Sequence, residues 1–219
     1  MKCEAIIFDL DGTLLNTLDD LADANNQALT QLGFPTHPVE SYKYHIGNGV
    51  RLLLERTLPE DSRDEAMVEK GIAMMKQAYD KCWDNKTLPY AGIPEMLDEL
   101  TRRGVRMSIL SNKPHDYTRV IVDKLLARWD FEEVWGVSET VAPKPDPAGV
   151  SSLVETLGVP TENLMYLGDT ATDMETAVGA DIFAVGVLWG FRTADELTQS
   201  GADVLLSNPA ELLDVIDRD

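Results

Sequence analysis

The first apolar positions of the chain, Ala5-Ile6-Ile7-Phe8, run without a polar break, the pattern of a β-strand buried on both faces. Beyond Gly12 the period lengthens. Leu18, Leu21, Ala22, Asn25 and Leu29 fall near helical spacing, and Met67, Ile72, Met75 and Tyr79 predict a long amphipathic helix ahead of Trp83. No strand pattern occurs between Leu18 and Asn85. From Pro89 onward strands and helices alternate. Ile93, Met96, Leu97 and Leu100 mark a helix closed by Gly104, followed by the strand Met107-Ser108-Ile109-Leu110. Val150, Leu153, Val154 and Leu157 mark another helix, ending at Gly158. The runs Leu164–Leu167, Ile182–Val185 and Val204–Leu206 read as strands.

Alternation of this kind implies a parallel sheet flanked by helices, so the expected class is α/β, a Rossmann-like parallel sheet core. The helical stretch after the first strand is then an insertion. Residues 1–14 and 89–219 are expected to form a discontinuous core, and 15–88 an all-helical inserted domain.

Charge narrows the partners. The chain carries 19 Lys+Arg against 38 Asp+Glu, a net charge of -19, which opposes nucleic acid and anionic membranes. The same field opposes a phosphorylated metabolite, so a phosphate site would need a local cation. The stretch 15–88 holds 8 Lys+Arg and 12 Asp+Glu and is much less acidic than the remainder. Cys3 and Cys82 match no metal-ligand spacing and fit a reducing compartment. Asp9 and Asp11 interrupt the first apolar stretch before it could serve as a signal peptide, and the expectation is a cytoplasmic protein, monomeric or homodimeric.

In open parallel sheets ligands bind beyond the carboxyl ends of the strands. Those ends hold Asp9-Leu10-Asp11-Gly12-Thr13, Ser111-Asn112-Lys113-Pro114 and Gly168-Asp169-Thr170-Ala171-Thr172-Asp173, with Pro143-Lys144-Pro145 before a helix. Carboxylates two residues apart on an extended segment share a face, and both stay ionised in a small site only beside a cation. Mg²⁺ takes oxygen ligands and keeps several waters, so Asp9 and Asp169 with a backbone carbonyl suffice. A carboxylate can attack a phosphoryl group, and a second one can give and take the proton. Ser111 and Asn112 offer a hydroxyl and backbone N–H groups to phosphate oxygens, and Lys144 offers a fixed charge. Asp173 either caps its helix or supports the metal. His37, His45 and His115 form no triad and read as structural or surface residues.

These motifs resemble those of the haloacid dehalogenase superfamily phosphatases, and most closely the phosphoglycolate phosphatases. Phe8–Leu14 matches the first motif, Ser111-Asn112 the second, Lys144 the third, and Gly168-Asp169 with Asp173 the fourth. The resemblance implies that Asp9 is nucleophile and Mg²⁺ ligand. It implies that Asp11 is the general acid/base, binding metal through its carbonyl, and that Asp169 completes the ligands. Thr13 and Asp173 would support them, Ser111 and Lys144 would hold the phosphoryl group, and the helical insertion would be the cap. Ile46–Val50, Pro89–Gly92 and Asn112-Lys113-Pro114 carry the likeness to the phosphoglycolate branch.

The substrate so implied is a small phosphorylated metabolite. A β-phosphoglucomutase-type mutase shares the four motifs and a similar cap, and a pyrophosphatase or a nucleotide- or sugar-phosphate phosphatase is also open. A non-catalytic metal and phosphate binder, or a phosphoacceptor signalling through Asp9, is the alternative from another class. The inserted block and the intact Asp11 favour turnover over signalling. In the insertion, Gly47-Asn48-Gly49 precedes a helix expected from Val50, with Lys43 and Arg51 near enough to add charge for a substrate carboxylate.

Overall fold

The computed structural model describes residues 3–217. The chain begins with β1 (Ala5–Phe8), leaves through β2 (Leu15–Asn16), and passes through α1 (Leu18–Leu32), α2 (Val50–Thr57) and α3 (Glu65–Tyr79). It returns through β3 (Leu88–Pro89) into α4 (Ile93–Arg103), β4 (Arg106–Pro114), α5 (His115–Leu125), β5 (Glu133–Val137) and α6 (Pro147–Leu157). Then come β6 (Leu164–Gly168), α7 (Ala171–Gly179), β7 (Phe183–Val187), α8 (Ala194–Gln199), β8 (Val204–Leu206) and α9 (Glu211–Ile216).

All four residues of β1 are buried, and a strand with water on neither face belongs in the middle of a covered sheet. The six-stranded sheet runs β5-β4-β1-β6-β7-β8, with every pairing parallel. Register brings Phe8 opposite both Ile109 of β4 and Leu167 of β6, so the carboxyl ends of β1 and β6 finish side by side while β4 runs on past them to Pro114. Val150, Leu153 and Leu157 of α6 and Met174 and Ala177 of α7 pack with Ile7, Leu164, Tyr166 and Ala184 of the sheet in one buried cluster. Each fully buried aliphatic side chain contributes about 1.5–3 kcal/mol. The strands β2 and β3 form a two-stranded sheet of their own.

Two compact units result: Met1–Leu15 with Pro89–Asp219, and Asn16–Leu88. The second is helical. Its α1 buries Leu18, Leu21, Ala22, Asn25 and Leu29, the stripe expected from the spacing. On α3 the buried face is Val68, Gly71, Met75, Ala78 and Tyr79, whereas Met67 and Ile72 are only half-buried. The stripe turns this way because Gly71 admits Leu54: a Cβ there would lie 2.8 Å from the Leu54 Cδ1. Inside the unit the Asn25 amide donates to the Tyr42 hydroxyl (2.9 Å) and to Thr57 Oγ1 (3.0 Å). The buried Asp20 carboxylate accepts from the backbone N–H groups of Lys86 (3.0 Å) and Thr87 (2.9 Å), tying the start of α1 to the returning segment.

The strand expected over Met107–Leu110 extends through Ser111–Pro114 as β4, and β2, β3, β5, α5, α8 and α9 are additional to the expected elements. In α5 the run Val120-Ile121-Val122 has strand propensity, yet Ile121 and Val122 are buried one turn after Thr118, and packing decides. Among the described residues no helix is long and apolar enough to cross a membrane.

Candidate active site

Asp9 follows β1 directly, and its N–H donates to the Leu167 carbonyl (2.9 Å), carrying the β1–β6 ladder one residue further. Asp169 follows β6 directly, so neighbouring strands deliver the two carboxylates to one place. Asp173 joins them from the first turn of α7. Its Oδ2 accepts from the Thr170 N–H (3.0 Å) and hydroxyl (2.7 Å), closing a capping box. Its Oδ1 accepts from Lys144 Nζ (2.6 Å), and the same ammonium donates to Asp9 Oδ1 (2.8 Å). Asp173 therefore caps its helix and also lines the carboxylate cluster.

Lys144 is set by its surroundings. Its N–H donates to Asn112 Oδ1 (2.7 Å), its carbonyl accepts from Asn112 Nδ2 (3.0 Å), and the Lys144–Pro145 peptide is cis. The Asn112 side chain, on a residue singled out for phosphate binding, is thus engaged in holding the lysine loop. Below it, the Tyr166 hydroxyl donates to the Leu110 carbonyl (3.2 Å), and Lys144 Nζ lies 5.6 Å from the Tyr166 ring centroid.

Asp169 is fully buried. Thr13 donates to its Oδ1 (3.1 Å) and the Phe191 N–H to its Oδ2 (2.7 Å), while the Trp189 indole donates to the Thr13 carbonyl (2.9 Å). Gly12 sits at φ +90°, where a Cβ would also lie 2.7 Å from Asp169 Cγ, so this turn requires glycine on both counts. Asp11 stands apart from the carboxylate cluster. Its Oδ2 lies 3.1 Å from Lys113 Nζ, and its Oδ1 is buried without a hydrogen-bond partner. Ser111 Oγ accepts from the Lys113 N–H (3.2 Å).

Burial dominates the electrostatics. It pushes the Asp9 carboxyl up to about 7, against the pull of Lys144, and Asp173 adds to the rise. Burial also drives Asp169 well above the usual carboxylate range, aided by Asp173 and Asp9 and partly offset by the Phe191 N–H and Thr13. For Lys144 burial opposes the charge, but Asp173 and Asp9 outweigh it and the ammonium holds its proton well above the usual lysine value.

Asp9, Asp169 and Asp173 each offer an oxygen, all within 4.8 Å of one another and all buried. Three acidic side chains share one bonded lysine, and the raised Asp9 and Asp169 mark a place where full ionisation calls for a further cation. The donor set is all oxygen, so it fits a hard divalent cation. Asp9 keeps one oxygen clear of Lys144, Asp169 is held by Thr13 and the Phe191 N–H, and Asp173 is held by Lys144 and the helix cap.

The site thus assembles Asp9, Asp169, Asp173 and Lys144 closely. Thr13 supports Asp169, Ser111 adjoins Lys113, and the Asp11 carboxylate lies to one side. Sequence reasoning gave no role to Lys113, Trp189 or Phe191. Phe191 acts through its backbone, which leaves no side-chain signal. In the helical unit, Lys43 pairs with Glu40 (2.9 Å), and Arg51 pairs with Glu65 (3.1 Å), Glu69 and Glu55. Both cations expected to face a substrate carboxylate are neutralised locally. It is Arg56 that braces the turn, donating to the His45 carbonyl (3.0 Å) and Asn48 Oδ1 (2.9 Å). His37 accepts or donates at the Thr57 carbonyl (2.8 Å through Nε2), stacks edge-on against Tyr42 and His45, and is structural as expected.

Residues 6–187 match the pattern of the haloacid dehalogenase-like hydrolase family. A phosphoglycolate phosphatase of Pseudomonas syringae pv. tomato is 31% identical over 217 residues, covering 97% of this chain and 77% of the relative. One from Psychrobacter arcticus is 29% identical, covering 98% of this chain and 93% of the relative. A solved structure from Lactobacillus delbrueckii subsp. bulgaricus superposes with a TM-score of 0.91 at 31% identity, covering 99% of each chain.

Proposed function

The chain belongs to the haloacid dehalogenase-like hydrolase family, and from that membership we propose that it hydrolyses a small phosphate monoester, phosphoglycolate or a close analogue, through a phosphorylated Asp9. The observation that carries this reading is the buried cluster of Asp9, Asp169 and Asp173 around Lys144 at the carboxyl ends of β1 and β6. The relatives named phosphoglycolate phosphatase support the substrate class.

In this reading an Asp9 oxygen attacks phosphorus and the ester P–O bond breaks, its electron pair remaining on the leaving oxygen. Asp11 protonates that oxygen, then as a carboxylate takes a proton from the water that attacks the aspartyl phosphate. The Asp9 O–P bond breaks and phosphate departs. Lys144 holds an equatorial phosphoryl oxygen while keeping Asp9 aligned, and Ser111 with the Asn112 N–H engages the others. Asp9, Asp169 and the Asp11 carbonyl would hold Mg²⁺, which when bound supplies the positive charge that offsets repulsion between nucleophile and phosphate. In this reading Asn16–Leu88 is the cap, the part of the chain that selects among phosphate esters.

Asp9→Asn tests the reading. The amide keeps the shape but is a poor nucleophile and a poorer ligand, so phosphate release from phosphoglycolate in Mg²⁺ should vanish while the fold, followed by circular dichroism, remains. Undiminished release from this variant overturns the covalent route. Preference for hexose phosphate interconversion or for pyrophosphate over phosphoglycolate would overturn the substrate class.

A further inference from the structure

Lys113 is seated with unusual care for a strand residue. Its N–H donates to Ser111 Oγ (3.2 Å), and its carbonyl accepts from the Thr118 hydroxyl (3.3 Å). The β4–β5 register slips between Ser111 and Pro114, the kind of irregularity that re-aims a side chain beside a site. Across the ladder stands Gly136, where a Cβ would lie 2.5 Å from the Lys113 carbonyl oxygen and 2.8 Å from His115 Cα. No side chain could occupy that position without moving the lysine backbone. The outcome is an ammonium whose side chain is 5% exposed, placed 3.1 Å from Asp11 Oδ2.

The effect on Asp11 is specific. One carboxylate oxygen is bound to Lys113, and the other, Oδ1, is buried without a hydrogen-bond partner. A buried carboxylate oxygen left unpartnered is costly, so such a group persists where the surroundings hold it in place. Asp11 immediately precedes Gly12, which sits at φ +90°, and the Lys113 ammonium is paired with its carboxylate.

We propose that Lys113 is the positioning residue of Asp11, aligning its free oxygen on the water that cleaves the phosphorylated Asp9. The inference rests on the function proposed above and extends it to a residue outside the cluster. The ion-paired carboxylate is the form needed for this second step: Asp11 Oδ1 takes a proton from water, the water oxygen bonds to phosphorus, and the electron pair of the Asp9 O–P bond returns to Asp9. Lys113 touches none of the reacting atoms and acts through Asp11.

The experiment uses Lys113→Met and Lys113→Arg in the full chain, with 4-nitrophenyl phosphate, whose leaving group departs without a proton. In rapid-mixing kinetics with Mg²⁺, the first nitrophenolate release by Lys113→Met should stay within about 3-fold of the parent. Steady-state turnover should fall by about 10²-fold, the scale of one aligned general base, giving a burst of one equivalent followed by a slow phase. Lys113→Arg, which restores a cation to Asp11, should regain at least about a tenth of the parent's steady-state rate. Equal loss of burst and steady-state rates in Lys113→Met overturns the proposal, as does a rise in KM with kcat unchanged, which makes Lys113 a substrate ligand. If Lys113→Met does not fold, an inactive but folded Lys113→Arg overturns it, and an active one that keeps the parent's ratio of burst to steady state sustains it. The function itself is judged separately, by the Asp9→Asn variant. Loss there together with no burst in Lys113→Met discards this inference and leaves the phosphatase standing.

Discussion

Replacing Lys144 by methionine removes a charge from the most crowded electrostatic position in the molecule while nearly preserving volume. The ammonium makes two bonds, 2.8 Å to Asp9 and 2.6 Å to Asp173, and the side chains of all three residues are at most 9% exposed. Breaking a buried ion pair from one side costs about 3–5 kcal/mol, because the partner charge stays buried and uncompensated. Here two partners are stranded, and Asp169 stands within the same cluster. A domain has about 5–15 kcal/mol in total, so the variant should fold but with much of its margin gone. The loop itself should hold, since both Asn112 bonds go to the backbone of residue 144 and survive the change. The assay is urea unfolding in chelator at pH 8, read by circular dichroism and by tryptophan emission. With a urea slope of about 2 kcal/mol/M, the midpoint should fall by about 2 M. Mg²⁺ should narrow the gap, because the variant's cluster carries one more unbalanced negative charge for the cation to neutralise. Turnover should nevertheless remain at least about 10²-fold low, since a metal on the carboxylates does not replace the donor aimed at the phosphoryl oxygen. A variant within about 1 kcal/mol of the parent in chelator would refute the reasoning, by showing that the cluster carries no net buried charge for Lys144 to offset.

The same cluster sets a pH dependence. Asp9 binds its proton more tightly folded, at about 7, than at its ordinary 3.8, so its contribution to stability is complete at acid pH and lost as pH rises through 7. Asp169 shifts the same way. Metal-free protein should therefore melt lower at pH 8 than at pH 5, and Mg²⁺ should raise the melting temperature at pH 8 far more than at pH 5, where it must displace protons. Equal Mg²⁺ effects at both values would contradict this. Gly12→Ala should lower stability by roughly 1–3 kcal/mol through its positive φ and should abolish phosphate release by displacing Asp169. Thermal melts and a phosphate assay read both, and a fully active, fully stable Gly12→Ala would show that the turn tolerates a side chain.

Much of this site can be read before any coordinates, because its chemistry lies in continuous runs that end strands. Asp9 ends one buried run and Asp169 ends another, and both flank a switch from strand to helix or turn. What escapes the sequence depends on pairing between segments. Lys113 reaches Asp11 because the β4–β5 register slips and Gly136 makes room, and neither event leaves a mark within Ser111–Pro114 itself. The edge strand β5 buries only Val134 and Gly136, too few positions for its alternation to stand out. On α3 the buried stripe follows Gly71 because of Leu54 on another helix, and hydropathy alone favours Met67 and Ile72. Lys43 and Arg51 look available in the sequence and are consumed by Glu40, Glu55, Glu65 and Glu69 in space.

The strand order has a consequence for synthesis. The central strand β1 is the first element made, yet its partners β4 and β6 are contributed by residues near 107 and 165. At about 5–20 residues per second, a ribosome extends the chain for roughly 8–30 s between releasing Phe8 and completing β6. For the first part of that interval, until β4 is made, the four-residue apolar strand has no partner, and the β6 side of it stays open to the end. The stretch Asn16–Leu88 is contiguous and complete in the meantime, so it can close on its own core first. A nascent chain stalled near residue 100, before β4 is made, would then carry a helical body joined to an unpaired hydrophobic strand. That is the form in which this protein is most exposed to holding chaperones and to aggregation.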